Sequence, residues 1–436
     1  FLCDVDVKGV DIRTFSDSLT TNAFLLKALT TVDSTDVNFN TGDLSLNFRT
    51  PNNLFTFIEQ SMKWGDLFSK QMKDRNVDMA SLREHMTIMF IDAHAGSQNP
   101  VSPLIKKYGM SFSDFSLKAR TNPATGISGR GHLYALQYDT IRIDTTYFII
   151  KQDSDMITYK AAVISENQPM VPGFVALLDG YTTPKDVNAH LRFFNKDREK
   201  GLDLGLHAQT VDSAINVKFY PEQPVLGFKQ FQLNNDNLVQ IQLSRPNPKE
   251  SPEIGLVHAN VEFQSLNDSS FISLQARPND DNEQLAHAIV RNLNLEGLVN
   301  ILPFAPKMSG LLTADATYDV HQKEFKVLSD VSLNDFVYEE MPVGNLHSNL
   351  VYTPDGADVH TVDASLDYNN IPVATMKGSY STKTPEGYLD AGVKLAEVPL
   401  SLISPDRKST RLNSSHGYTS YAVFCLKKRS GFYYSA

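Results

Sequence analysis

The sequence predicts a mainly β protein: an elongated, stacked antiparallel β-sheet with one helical insert near residues 53–91. Three observations carry that prediction. Apolar and polar residues alternate with period two through most of the chain. Turn residues punctuate the alternation. The period changes to that of a helix in one place only. No βαβ alternation is present, so a parallel sheet with crossover helices is not expected.

The alternating segments come in order. Leu44-Ser45-Leu46-Asn47-Phe48 is an early one, and residues 202–206 and 215–219 follow the same rule. Val257-His258-Ala259-Asn260-Val261-Glu262-Phe263 continues it over a longer stretch. Leu312-Thr313-Ala314-Asp315-Ala316-Thr317-Tyr318 and residues 389–395 repeat it. Successive side chains on a strand point to opposite faces, so each segment buries one face and wets the other. Gly42-Asp43, residues 234–237, 278–282 and 354–356 are the expected turns between strands. About twenty such strands exceed a single sandwich. In one continuous sheet they would extend on the order of 100 Å.

The helical insert has two apolar faces. Leu54, Ile58, Met62, Phe68 and Met72 make the first; Met79, Leu82, Met86, Met89 and Phe90 make the second. Pro51 ends the preceding strand. Asp78 and the Ser81…Glu84 pair are start signals for the second helix. Asn99-Pro100 and Pro103 mark a break, with a short helix expected over 104–108. Such a pair covers an open edge or fills one end of a sheet; the other expectation is a plug or gate over a groove. The regions expected are strands over 1–50, the helical insert over 51–110, an elongated β-groove over 111–405, and a distinct segment over 406–436.

Composition narrows the function classes. The chain has 436 residues, 41% hydrophobic and 21% charged, which suits a folded protein. Its net charge of −10 argues against nucleic acid, which demands clustered Lys and Arg. Two cysteines, Cys3 and Cys425, exclude a disulfide scaffold and a Cys-rich zinc site. No run of 18 apolar residues is present. The chain starts at Phe1 inside a strand-like pattern, and we expect it to be a fragment.

No motif announces chemistry. His85, His94, His132, His190, His207, His258, His287, His321, His347 and His360 are scattered singly, without HxH or HExxH spacing. They are expected to be solvated or hydrogen-bonded. The glycines of residues 126–131 lack GxGxxG spacing and a following helix, so a turn is expected there. Residues 279–283, Asn-Asp-Asp-Asn-Glu, lack EF-hand spacing and read as an acidic surface turn. No GxSxG elbow is found. No enzyme activity, cofactor or metal is expected.

Several stretches resemble the TamB family, the AsmA-related translocation and assembly module proteins of Gram-negative envelopes. They are Asn99-Pro100…Leu104…Tyr108-Gly109-Met110-Ser111-Phe112, then residues 224–234 (PVLGFKQFQLN). The most telling runs from Leu295-Glu296-Gly297-Leu298 through residues 301–315 (ILPFAPKMSGLLTAD). The resemblance is patchy over roughly 100–400 and carries no catalytic residues. It implies that the antiparallel sheet is rolled into a long β-groove, U-shaped in section, with an apolar interior. It also implies a parent protein in the periplasm, anchored in the inner membrane, that serves phospholipid transport and the assembly or secretion of outer-membrane proteins with a barrel partner. This chain would be its middle section; the anchor and the partner-binding domain lie outside it.

An apolar groove suits phospholipid acyl chains, because carrying a lipid through water exposes its chains at roughly 0.8 kcal/mol per CH₂. The candidate lining residues are Val257, Ala259, Val261 and Phe263, with Leu312, Ala314, Ala316 and Tyr318. A structural or adhesin-like β-solenoid with a filled core is the alternative.

The end of the chain differs in kind. Residues 406–416 (DRKSTRLNSSH) back-translate, with permitted codons, to a standard short-read sequencing adapter. Gly417-Tyr418 fall where the sample index sits. Ser420 to Lys428 continue the adapter, and Thr419 departs from it by one base. Residues 406–436 are therefore expected to be adapter-derived. Without them the balance is 34 basic against 49 acidic residues, or −15.

Overall fold

The structure is a computed structural model. It describes residues 1–8, 11–13, 18–20, 23–73, 77–138, 141–166, 172–211, 214–243, 254–278, 284–302, 305–321, 324–354, 359–381, 388–395 and 422–427. The protein is mainly β and antiparallel, with four helices among the described residues. It divides into two compact units, Phe1–Thr210 and Val211–Ala436.

In the first unit Leu2–Val7 pairs with Phe24–Thr30, and hairpins continue through Thr35–Thr41 and Leu44–Thr50. Gly42 makes the expected turn with φ +58°, a conformation glycine adopts without steric cost. The helices come next, and the chain re-enters the sheet as Met89–Gly96. Asp114–Asn122 pairs with that strand. Sequential antiparallel strands then run through Gly126–Tyr138, Ile141–Asp153, Met156–Ser165, Phe174–Thr182, Asp186–Asn195 and Lys200–Val211.

Threonines at the strand ends tie the helical insert to the sheet. Buried Thr30 and Thr35 share a hydroxyl hydrogen bond of 2.9 Å, and the Leu54 N–H donates to Thr30 Oγ1. Thr50 Oγ1 donates to the Ile88 carbonyl at 2.7 Å. The helix Leu54–Lys73 lays Phe57 edge-on against Phe48, with centroids 5.0 Å apart. Trp64 donates from Nε1 to the Leu82 carbonyl at 2.8 Å.

This corrects the expected packing face. Ile58, Met62, Phe68 and Met72 are all exposed, Met62 to 66%. The helix carries two adjacent apolar stripes, and the sheet end receives the one that holds Phe57 and Trp64. The second helix is shorter than expected, Met79–Glu84, capped by Asp78 accepting from the Ser81 N–H at 3.0 Å. Leu82 and Met86 are buried, but Met89 and Phe90 belong to the strand Met89–Gly96. Strand pairing with Leu44–Thr50 supplies the backbone partners there. The third helix is Val101–Lys107, a turn earlier than expected.

The glycine cluster is not a single turn. Gly126 opens the strand Gly126–Tyr138 with φ +74°, whereas Gly129 and Gly131 lie inside it. A Cβ on Gly131 would meet the Phe148 ring at 2.6 Å, so the glycine makes room for a cross-strand aromatic.

In the second unit Ala214–Leu226 is followed by Lys229–Leu233 and Leu238–Leu243. Both short strands pair with Ile254–Ser265. Residues 234–237 form the expected turn between strands, with the Asn237 N–H donating to the Asn234 carbonyl at 3.2 Å, and the two short strands it joins share one position in the sheet. Asparagine side chains stand in for the missing ladder. Asn237 Oδ1 accepts from the Phe219 N–H at 2.7 Å, and Asn234 Oδ1 accepts from the Glu262 N–H at 2.9 Å.

Hairpins then run through Phe271–Pro278, Gln284–Asn294, Met308–His321, Glu324–Tyr338, Met341–Pro354, Val359–Tyr368, Ile371–Ser381 and Tyr388–Leu395. The acidic turn 279–283 lies outside the described residues. Of 406–436, Ala422–Lys427 is described, as a strand paired with Tyr388–Leu395. An edge strand offers free N–H and C=O groups to any extended segment, so this pairing is independent of the segment's origin.

Candidate functional site

Register decides which side chains share a face, because directly opposed residues of paired strands point the same way. In the first unit one such row crosses the sheet through Leu26, Phe39, Leu46, Ala93, Leu117, Gly131, Phe148, Ala161, Leu178, Leu191 and Leu204. Every position is apolar, and the one glycine is filled by Phe148. In the second unit the row runs through Val217, Val239, Ala259, Ala276, Ala286, Tyr318, Val327, Tyr352, Val362, Gly378 and Ala391.

The residues singled out in the sequence meet on this face. Ala259 and Tyr318 are in the row just traced. Val261 is joined to Ala316 through Leu274 and Ala288. Phe263 is joined to Ala314 through Ile272 and Val290. Leu312 follows two positions along the same strand and pairs with Leu333. Val257 lies in Ile254–Ser265, but its side chain is outside the described residues.

The face is covered in one stretch and open in another. Ala259, Val261, Phe263, Ala276 and Ala286 are buried, as are Phe231 and Leu233. From Met308–His321 onward, no residue on the row traced is buried among the described residues, and Tyr318 is 37% exposed. In the first unit's row Ala93 is buried, whereas Phe148 is 40% and Leu191 43% exposed.

At the covered end, two of the stretches quoted for the family resemblance touch. Gly227, at φ +59°, abuts Gly297 in the helix Leu295–Val299. A Cβ on Gly297 would stand 2.3 Å from the Gly227 carbonyl oxygen, so this backbone contact admits glycine alone. Asn294 caps the helix by accepting from the Glu296 N–H at 2.9 Å. Pro303 and Phe304 of the same stretch lie outside the described residues.

The opposite face is polar, and histidines there pair with aspartates of neighbouring strands. His132 and His94 flank Asp114, at 2.7 and 3.4 Å. His190 meets Asp203 at 2.6 Å, His207 meets Asp186 at 3.2 Å, and His287 meets Asp315 at 2.7 Å. His347 reaches Asp330 at 3.1 Å. Burial pushes the Asp203 carboxyl up, but hydrogen bonds from Lys200 and His190 outweigh it and hold the group below the ordinary carboxylate range. Single-sequence spacing hides these pairs, because the partners are brought together only by register.

Among the described residues no group of three or more His, Cys, Asp or Glu side chains is placed to hold a metal ion. No described helix is long and apolar enough to cross a membrane. The fold and its faces thus define a class: a mainly β protein with a one-sided antiparallel sheet in each unit. Compared with known proteins, the chain matches no family model, and no curated protein or solved structure matches it significantly.

Proposed function

We propose that the protein conducts phospholipid along the apolar face of its sheet, as part of an envelope-spanning TamB-like protein. One observation carries this reading: the apolar row is unbroken from strand to strand in each unit, yet much of it has no covering layer. An acyl chain laid along the row loses its water contact at roughly 0.8 kcal/mol per CH₂. The site then needs apolar continuity and no reacting group. The periplasmic location, the inner-membrane anchor and the outer-membrane barrel partner of the parent protein rest on the sequence resemblance alone.

A photo-crosslinking amino acid tests the reading. Placed at Ala316, Leu350 or Ala364 on the apolar face, it should capture phospholipid in cells. Placed at the adjacent Thr317, Asn349 or Asp363, it should not. Equal capture on both faces, or capture on neither, refutes a one-sided conduit. A structural module with a filled core is the second reading, and the buried stretch around Phe231, Val261 and Phe263 favours it. Under that reading crosslinks from the open row go to protein.

A further inference from the structure

The polar face of the first unit carries a feature that the lipid reading does not use. Four neighbouring strands there place eight side chains in two adjacent rows. The first is Lys118, Arg130, Ile149, Lys160; the second is Arg120, Ser128, Lys151, Thr158. Five of the eight are basic and none is acidic, in a chain whose net charge is −10.

The arrangement is costly as it stands. Lys118 and Arg130 are directly opposed across the strand pair, and like charges so placed repel. Asp92 relieves Lys118 at 3.0 Å. Among the described residues no acid lies within ion-pair distance of Arg120, Arg130, Lys151 or Lys160. Arg120 is held instead over the Phe90 ring, 4.9 Å from its centroid. That contact fixes the guanidinium and leaves its edge free to donate.

Two clefts meet at this guanidinium. One, of about 610 Å³, is lined by Arg49, Arg120, Thr35, Thr121, Asn122 and Ser128 among others. The other, of about 370 Å³, is lined by Lys118, Arg120, Ser128, Arg130 and Lys151 among others. The larger cleft is lined by Asp36 and Arg49, which pair with each other at 3.0 Å, and by Thr35 and Thr121, whose hydroxyls already donate to backbone carbonyls. The smaller offers converging cations, and arginine's planar fork matches phosphate oxygens two at a time.

We propose that this block binds a ligand with two or more phosphate groups, either free or as the headgroup of a lipid. The ligand neutralises the Lys118–Arg130 repulsion. The block lies on the face opposite the apolar row, so the proposal stands or falls separately from the conduit.

The test compares the full chain with the Arg120→Gln/Arg130→Gln variant, and with a charge-matched control, Lys27→Gln/Lys326→Gln. Calorimetry with fructose 1,6-bisphosphate reads the free ligand. Co-sedimentation with cardiolipin vesicles, whose headgroup carries two phosphates, against phosphatidylcholine vesicles, reads the headgroup. The arginine variant should lose about tenfold or more in affinity for whichever probe binds, while the control keeps the parent value. Bisphosphate binding alone assigns a free ligand, and vesicle binding alone assigns a lipid headgroup. Without ligand, the single Arg130→Gln variant should melt at or above the parent temperature, because the repulsion with Lys118 is relieved. A lower melting temperature, binding of neither probe at millimolar concentration, or unchanged binding by the double variant overturns the proposal.

Discussion

The two units solve one problem differently. Each lays an apolar row across an antiparallel sheet and turns polar groups to the other side. They differ in how they treat like charges on that polar side. In the second unit the opposed Asp315 and Asp330 each have a histidine, His287 and His347. In the first unit the opposed Lys118 and Arg130 share a single acid, Asp92, bound to Lys118. The first pattern is closed within the protein, whereas the second leaves cations outward. A sheet with one apolar face therefore leaves its other face free to acquire separate properties, because successive side chains of a strand point to opposite sides of the backbone layer.

The units also differ in how they tolerate bulk at glycine. This gives the largest effect expected. Gly297→Ala would drive a Cβ into the Gly227 carbonyl, and backbone cannot step aside as a side chain can. We expect a loss of about 3 kcal/mol, measured as a lower denaturant midpoint. Gly131→Ala in the first unit meets the outer part of the half-exposed Phe148 ring, which can swing away. A loss of about 1 kcal/mol is expected there. Equal losses at both sites would break the comparison.

Asp203 lies between these. Asp203→Asn removes a carboxylate that holds Lys200 and His190, and should cost roughly 1–3 kcal/mol at neutral pH. Because the folded protein lowers this carboxyl, its contribution is complete above the ordinary carboxylate value of 3.8. It is lost as pH falls through the still lower folded value. Urea unfolding of parent and variant should therefore differ at pH 7 and converge in strong acid. A gap that persists there sinks the assignment.

The smallest effect is expected on the long helix. Met62→Gln should change stability by no more than about 0.5 kcal/mol, because that side chain is exposed. Phe57→Ala, which removes the ring against Phe48, should cost more than Met62→Gln by thermal melting. The reverse order would mean that the exposed stripe is the packed one.

Much of the fold was legible without coordinates. Alternation placed residues 44–48, 257–263 and 312–318 in strands, and each lies inside one. Asp78 marked a helix start, and Asp78 caps it. The errors share a cause. Met89 and Phe90 continue a helical period, but a strand partner decided their state. Residues 126–131 have the composition of a turn, but pairing with Asp114–Asn122 and Ile141–Asp153 holds them in a strand. Local patterns report what a segment can form, and tertiary partners select among the options.

The candidate lining was legible as separate one-faced strands, and its joining into a row was not. The histidine–aspartate pairs and the basic block were not legible at all. Lys118 and Arg130 are twelve positions apart, and His287 and Asp315 are farther still. By itself the sequence determined the period-two pattern, the class of fold and the side of each strand that is apolar, because these depend on neighbours two residues away. Only the tertiary structure decided register, and with it which residues share a face, which charges oppose and which part of the apolar row is covered. A one-residue slip in pairing would send every side chain of a strand to the other face, and local sequence does not encode the choice of partner.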